Sequence, residues 1–279
     1  MINFIGRFIP KGFKRRIADL PGMLNLFEKL SKSELQEVPT PEGGTLIINP
    51  LFHSNLMHAG DLEGYEPDIR EAIKQLAKPG MVAYDIGANI GIFSFLFASI
   101  VGADGFVYSF EPEENNYFCF EKSQILNKYN NIILDKRPVG TRKSKEIFDR
   151  RGGAFSGRLI GGGLYDQTDN IKMVEVVSID YLVKEESYRA PDIIKIDVEG
   201  NEIMVLEGMR YILENFNPII ICELHSHLGE SPTSAKEILS SYGYSISDIN
   251  VATVGRSIPP KGSSKKALEK HILAIKNLL

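Results

Sequence analysis

The stretch IIKIDVEGNE, residues 193–202, places ionisable side chains where a core strand should be. Ile193, Ile194, Ile196 and Val198 read as a short buried strand, interrupted by Lys195, Asp197 and Glu199. Burying such charges is costly unless they are paired or used in chemistry. Side chains alternate along a strand, so Lys195 and Asp197 share a face, as do Glu223 and His225 in IIICELH. Asp85 in YDIG and Glu111 in SFEP also close apolar runs. In an open parallel sheet, ligands bind beyond the carboxyl ends of the strands, near the switch in strand order. Asp85, Glu111, Asp197 and Glu223 are therefore expected to face one crevice.

The segment YDIGANIG supplies the loop of that crevice, with Asp85, Gly87, Ala88, Asn89 and Gly91 ahead of a helix. Glycine permits close approach of backbone to a ligand. A dinucleotide site would show G-x-G-x-x-G, with the pyrophosphate on the helix N-terminus. The spacing here is D-x-G-x-x-x-G, and Asp85 would repel a diphosphate while suiting an ammonium group. Glu111 stands twenty positions after Gly91, at the end of the next strand, where a carboxylate accepts hydrogen bonds from ribose hydroxyls. An amino-acid ammonium together with a ribose describes S-adenosylmethionine better than NAD.

The elements that must position these groups follow a regular order. MVAYDIG, FVYSFEP, NIILD, DIIKIDVEG and PIIICELH read as strands. IGIFSFLFASIVG, ENNYFCFEKSQILNKYN, NEIMVLEGMRYILENF and SPTSAKEILSSYG read as helices, with a further strand near YSISDI and a final run KHILAIKNL. Short apolar strands alternating with helices mean parallel βαβ units in an α/β, doubly wound sheet. Two regions break the rhythm. Residues 1–60 form an N-terminal extension, expected to be helical in part, ahead of the helix in EPDIREAIKQLAKPG and a main domain over 61–279. An insertion around 136–180 holds two expected strands, KEIFD and KMVEVVSI, around a glycine-rich segment that is either a plain connection or a hairpin-like lid over the substrate.

The ordered blocks VAYDIGANIGIFSF, VYSFEPEENNY, VVSIDYLV, DIIKIDVEGNEIMVLEGM and IIICELH resemble the FkbM family of S-adenosylmethionine-dependent methyltransferases over roughly residues 60 to 277. The resemblance implies the class I methyltransferase, Rossmann-like sheet of seven strands with the last antiparallel. It also implies methyl transfer, mostly to oxygen on sugars, glycans or polyketide-type metabolites, with nitrogen as the alternative acceptor. Asp85, Gly87, Ala88, Asn89, Gly91, Glu111 and Asp197 would then hold the cofactor. GYEPDIREAIKQLAKPG resembles the helix before the family's glycine loop, which puts Tyr65 and Glu66 at the edge of the site, although an exposed helix-start role suits Glu66 better. The family's polar contact near the adenine would fall around DKRPVG, where no residue stands out.

Methyl transfer from a sulfonium is an in-line displacement in which the cofactor brings the reactive centre. The protein must position the acceptor and remove its proton. His225 is the candidate base, as a neutral imidazole near pH 7, with Asp197 and Lys195 beside it. Asp197 could hold the methionine end of the cofactor, orient the acceptor, or bind a divalent metal. Some other class I O-methyltransferases bind Mg²⁺ with acids from these two strand ends, so Asp197 and Glu223 form a candidate Mg²⁺ pair. A zinc site from Glu223, His225 and His227 is a weaker alternative. An ion pair with Asp197 or Glu223 is the alternative to a catalytic role for Lys195. Glu199 and Glu202 could act only on the following helix N-terminus, and His53 and His58 could line a substrate cleft.

Composition sets outer limits. A net charge of −4 disfavours a dedicated nucleic-acid binder. Two cysteines, Cys119 and Cys222, lie in apolar runs and read as packed thiols of a reducing compartment, giving a cytoplasmic expectation. No apolar stretch reaches the ~18 residues of a membrane span, and MINFIGRFIPKGFKRR is not signal-like. Its Lys11, Lys14, Arg15 and Arg16 form either a solvated face or a contact for an anionic membrane. The expected partner is a small-molecule or glycan acceptor. An NAD(P)-dependent oxidoreductase and a non-catalytic binding domain are the rival readings, the first weakened by the missing glycine fingerprint and the second by the intact acids.

Overall fold

In the computed structural model, residues 35–50, 52–53, 56, 62–150, 157–160, 171–225, 232–249 and 269–276 are described. The chain opens with a hairpin, β1 (Gln36–Pro39) and β2 (Thr45–Ile48), followed by α1 (Pro67–Leu76). The first βαβ units are β3 (Val82–Ile86), α2 (Ile92–Val101), β4 (Phe106–Phe110), α3 (Glu114–Asn127) and β5 (Ile132–Asp135). Three strands come next: β6 (Ser144–Asp149), β7 (Arg158–Ile160) and β8 (Ile171–Val176). The chain then runs through α4 (Ile179–Glu185), β9 (Ile193–Ile196), α5 (Glu202–Glu207) and α6 (Arg210–Asn215). It ends in β10 (Ile219–His225), α7 (Pro232–Ser241), β11 (Tyr244–Asp248) and β12 (Glu269–Lys276).

The main sheet has seven strands in the order β11-β12-β10-β9-β3-β4-β5. The strands from β10 to β5 pair in parallel, and β12 lies between β10 and β11, antiparallel to both. This is the class I methyltransferase-like arrangement. The chain order reverses at β3, which pairs with β4 on one side and β9 on the other. Alternation along the strands divides the core in two. Ala83, Ile193 and Ile221 pack toward Ile73, Phe97 and Phe120 of α1, α2 and α3. Tyr84, Ile194, Ile196 and Cys222 pack toward Leu182, Leu206, Leu213 and Leu239 of α4 to α7. A sheet buried on both faces explains why its strands read as nearly unbroken apolar runs. Both cysteines are buried free thiols. Among the described residues, no helix is long and apolar enough to cross a membrane.

Two features depart from the expected elements. Residues 36–48 form a two-stranded antiparallel ribbon rather than helix. The turn signal PTPEGG between the strands explains it. α3 clamps the ribbon: Thr45 N donates to Asn127 Oδ1 at 2.8 Å and Ile47 N to Ser123 Oγ at 2.7 Å. In the inserted region, KEIFD and KMVEVVSI contribute β6 and β8, which pair antiparallel, and β7 from the glycine-rich segment adds a third strand on β6. The basic N-terminal run and residues 161–170 lie outside the described residues.

The inserted sheet is tied to the helical face through a close backbone approach. A Cβ on Gly208, at the α5–α6 junction, would lie 2.1 Å from the carbonyl oxygen of Gly140. The φ of Gly208 is −80°, so alanine would meet no backbone penalty there, only the clash. Gly208→Ala is expected to cost about 1–3 kcal/mol, read as a lowered urea midpoint with unchanged slope. An unchanged midpoint would show that these two backbones separate freely.

Candidate active site

The carboxyl ends of β3, β4, β9 and β10 open into one cavity of about 450 Å³. Its walls include Gly87, Ala88 and Asn89 of the loop after β3, Glu111 after β4, Lys195 and Asp197 at β9, and Glu223 and His225 at β10. Eight of the expected site residues thus meet at the switch in strand order.

The loop after β3 is held by its own chain. Gly87 N and Ala88 N donate to Phe110 O at 3.0 and 2.9 Å, and Gly91 N donates to Ala88 O at 2.9 Å. Asn89 N donates to Glu111 Oε2 at 2.7 Å and Ile90 N to Asn89 Oδ1 at 2.8 Å. Each amide from 87 to 91 therefore already has a partner within the protein. The two glycines answer to protein neighbours: a Cβ at Gly87 would lie 1.7 Å from Asp197 O, and one at Gly91 2.7 Å from Phe120 Cδ2. Their positive φ values, 81° and 94°, reinforce the requirement. Gly91 itself does not line the cavity; it seats the start of α2 against Phe120.

Asp85 has partners of its own within the protein. It is fully buried and does not line the cavity. Its Oδ2 accepts from Ser94 Oγ at 2.6 Å, and its Oδ1 lies 3.9 Å from Lys195 Nζ, its register neighbour on β9. Burial raises the Asp85 carboxyl, while Lys195 and Ser94 offset that rise. Asp85 is a support behind the loop.

Glu111 is 5% exposed and accepts from Asn89 N, Glu113 N and Asn116 Nδ2. Burial pushes its carboxyl up to about 8, against three N–H donors that favour the ionised form. A relay stands behind it. His53 Nδ1 accepts from Asn49 N at 3.0 Å, and His53 Nε2 lies 3.0 Å from Asn116 Oδ1. Burial pushes His53 down to about 4, so it is neutral and donates through Nε2. His53 is thus a positioning residue for Asn116 and does not line the cavity. His58 and His227 lie outside the described residues.

The opposite wall is an acid and imidazole cluster. Lys195, 4% exposed, lies 3.1 Å from Asp197 Oδ2, with its ammonium 5.0 Å from the centre of the Phe93 ring. Burial opposes both charges, but each supports the other: Lys195 stays cationic, and Lys195 with His225 holds Asp197 below the usual carboxylate range. His225 Nδ1 lies 2.7 Å from Glu202 Oε1. Its Nε2 stands 3.9, 3.7 and 3.8 Å from Asp197, Glu199 and Glu223. Burial opposes the imidazolium, yet the Glu202 bond and the nearby acids push His225 up to about 9. These neighbours favour the protonated imidazole over the neutral base expected from the sequence. Burial and the neighbouring acids push Glu66 and Glu199 up to about 7. Three cavity residues that are not glycine, Glu66, Asn89 and Glu199, have positive φ of 43°, 52° and 54°. Such strain persists where the surrounding structure requires it.

Several site residues carried too weak a sequence signal. Glu66 lines the cavity rather than facing solvent, and Glu202, read as an early-helix acid, is 1% exposed and anchors His225. His271 on β12 lies in register with Glu223, its Nε2 3.2 Å from Glu223 Oε2. That contact depends on a crossover no local pattern reveals. Near DKRPVG, Asp135 is engaged by Arg137 at 2.6 Å and by Tyr188 Oη at 3.0 Å, leaving Pro138 and Val139 as lining.

The inserted sheet completes the wall with Phe148, Gly157 and Leu159. Arg150, just after β6, binds Glu113 with two 2.6 Å contacts, and both residues are buried. Removing one partner of a buried pair leaves an uncompensated charge. Arg150→Ala is expected to lose about 3–5 kcal/mol of stability, measured by urea unfolding, with Arg150→Lys recovering only part because it lacks the bidentate fork. Equal stability of wild type and Arg150→Ala would mean that Glu113 finds water or another donor.

Comparison with known proteins identifies the family. Residues 85–246, more than half of the chain, match the family described as the methyltransferase FkbM domain. The chain is 26% identical over 193 residues to the hexuronic acid methyltransferase AglP of Haloferax volcanii, covering 64% of this chain and 70% of that protein. A methyltransferase FkbM structure from Methylobacillus flagellatus aligns with TM-score 0.47 at 16% identity, over 74% of this chain and 50% of that one. The chain thus spans half the length of that structure. Aeropyrum pernix fibrillarin with bound S-adenosyl-L-methionine aligns with TM-score 0.45 at 13% identity, over 74% and 73% of the two chains. With the family match covering the glycine loop, both acid-bearing strand ends and α7, the chain belongs to the FkbM family of S-adenosylmethionine-dependent methyltransferases.

Proposed function

We propose that this protein methylates a hydroxyl group of a sugar or glycan with S-adenosylmethionine as donor. The observation that carries the reading is the division of one cavity into two chemically different halves. Gly87, Ala88, Asn89 and Glu111 line the half we assign to the cofactor, with Glu111 as the acceptor for the ribose hydroxyls in this reading. Asp197, Glu199, Glu223 and His225 form a polar half rich in hydrogen-bond acceptors, suited to an acceptor with several hydroxyls. That the relative in Haloferax volcanii is named a hexuronic acid methyltransferase supports a sugar acceptor.

S-adenosylmethionine supplies an electrophilic methyl on a sulfonium. The acceptor oxygen attacks that carbon in line, the carbon–sulfur bond breaks with its electron pair going to sulfur, and the hydroxyl proton passes to the acids at the ends of β9 and β10. Lys195 and Glu202 keep those acids and His225 in place, through contacts of 3.1 Å to Asp197 and 2.7 Å to His225. Fixed geometry of this kind is the main contribution a protein can make to such a displacement.

Two measurements test the reading. Calorimetric titration with S-adenosylmethionine is expected to give saturable binding that Glu111→Ala weakens about tenfold to a hundredfold, the loss of a charged hydrogen-bond acceptor. Mass spectrometry of a glycan and metabolite panel incubated with labelled donor is expected to find a sugar one methylene unit heavier, methylated on oxygen. Binding of NADH in place of S-adenosylmethionine, or label only on nitrogen, would replace this reading with another.

A further inference from the structure

The cavity's acidic wall has a donor arrangement that methyl transfer alone does not explain. Asp197 Oδ1, Glu199 Oε2 and Glu223 Oε1 stand 3.7–3.9 Å from His225 Nε2. Those separations are close to the spacing of ligand atoms that share an ion at about 2.0–2.2 Å from each. One donor atom each from Asp197, Glu223 and His225 lie within 4.8 Å of one another.

Three further observations bear on the same place. The second nitrogen of His225 is 2.7 Å from Glu202, whose side chain is 1% exposed. A buried carboxylate on the distal nitrogen is how proteins orient an imidazole toward a metal. A second trio, Glu66, Glu223 and His271, also places its donor atoms within 4.8 Å, sharing Glu223 with the first. Within that trio, Glu66 Oε2 is buried without a hydrogen-bond partner among the described residues, and His271 Nε2 lies 3.2 Å from Glu223 Oε2. Glu66 stands at the N-cap of α1 but makes no cap bond, and its backbone is left-handed. Its carboxyl lines the cavity.

We propose that the ends of β9 and β10 form a divalent transition-metal site, with Asp197, Glu223 and His225 as ligands and Glu66 and His271 flanking the shared Glu223. The imidazole favours Mn²⁺, Fe²⁺ or Zn²⁺ over the Mg²⁺ suggested by the acids alone. The site rests on the methyltransferase reading for its use. There the ion would hold the acceptor hydroxyl and lower its pKa, so that its proton passes to Glu199, the acid of this wall that is not a ligand, as the oxygen attacks the methyl carbon and the carbon–sulfur electron pair goes to sulfur.

The test uses the full chain, stripped with a chelator and dialysed. Mn²⁺ binding is followed by loss of the free-ion electron paramagnetic resonance signal, and Zn²⁺ binding by competition calorimetry. The expected result is one ion per chain with micromolar or tighter affinity, weakened at least tenfold in Glu223→Gln and in His225→Gln. Far-UV circular dichroism and S-adenosylmethionine affinity should stay unchanged in at least one of the two variants, which separates loss of a ligand from loss of fold. Absence of saturable Mn²⁺ and Zn²⁺ binding below millimolar concentrations, or equal binding by both variants and wild type, would overturn the site. Metal-free protein that binds S-adenosylmethionine but no ion removes the site alone. Protein that binds the ion but not S-adenosylmethionine removes the methyltransferase reading and leaves the site standing.

Discussion

The ammonium of Lys195 is the contact on which the centre of this fold depends. It is almost fully buried beside two carboxylates, Asp85 at 3.9 Å and Asp197 at 3.1 Å. Both acids would be costly in the core if unpaired. The parallel register of β3 and β9 sets Asp85 beside Lys195, and strand alternation sets Asp197 two residues further along the same face. One side chain therefore joins the glycine loop after β3 to the acids at the ends of β9 and β10. The neighbouring Phe93 ring, at the start of α2, covers the ammonium from the helical side.

The same economy governs the glycine loop. Its amides are used within the protein, and its glycines make room for Asp197 and Phe120. The loop is thus a packed joint whose shape is set before any ligand arrives. Preorganisation of this kind reduces what binding must spend on ordering. Glu111 shares in it, since its carboxylate fixes the Asn89 amide and is itself held by Asn116 and, behind that, His53.

Around this frame, charge is arranged in opposite ways on the two sides of the cavity. Glu113 is neutralised by Arg150 from the inserted sheet, so the wall near Glu111 carries a closed ion pair. The wall at β9 and β10 concentrates acids around His225. A closed pair contributes to stability and to the position of the insertion. The open cluster instead gathers its acids around one imidazole without closing them into pairs.

Much of this was legible in the sequence. Apolar runs ending in Asp85, Glu111, Asp197 and Glu223, separated by helical segments, specify a parallel sheet with its polar ends on one side, because strand period and loop chemistry are local properties. The D-x-G-x-x-x-G loop and the spacing to Glu111 excluded a dinucleotide fingerprint for the same reason. Tertiary structure alone decided the partners. That acids surround His225, that Asp85 meets Lys195 and Ser94, that Glu66 and Glu202 face inward and that His271 meets Glu223 all depend on residues from distant elements. The ribbon at 36–48 and the third inserted strand belong to the same class, being short strands settled by what they pack against rather than by their own pattern. Residue type and spacing act over a few positions of the chain, whereas burial and Coulomb energy act through space, and only the folded chain brings five carboxylates to two imidazoles and one ammonium.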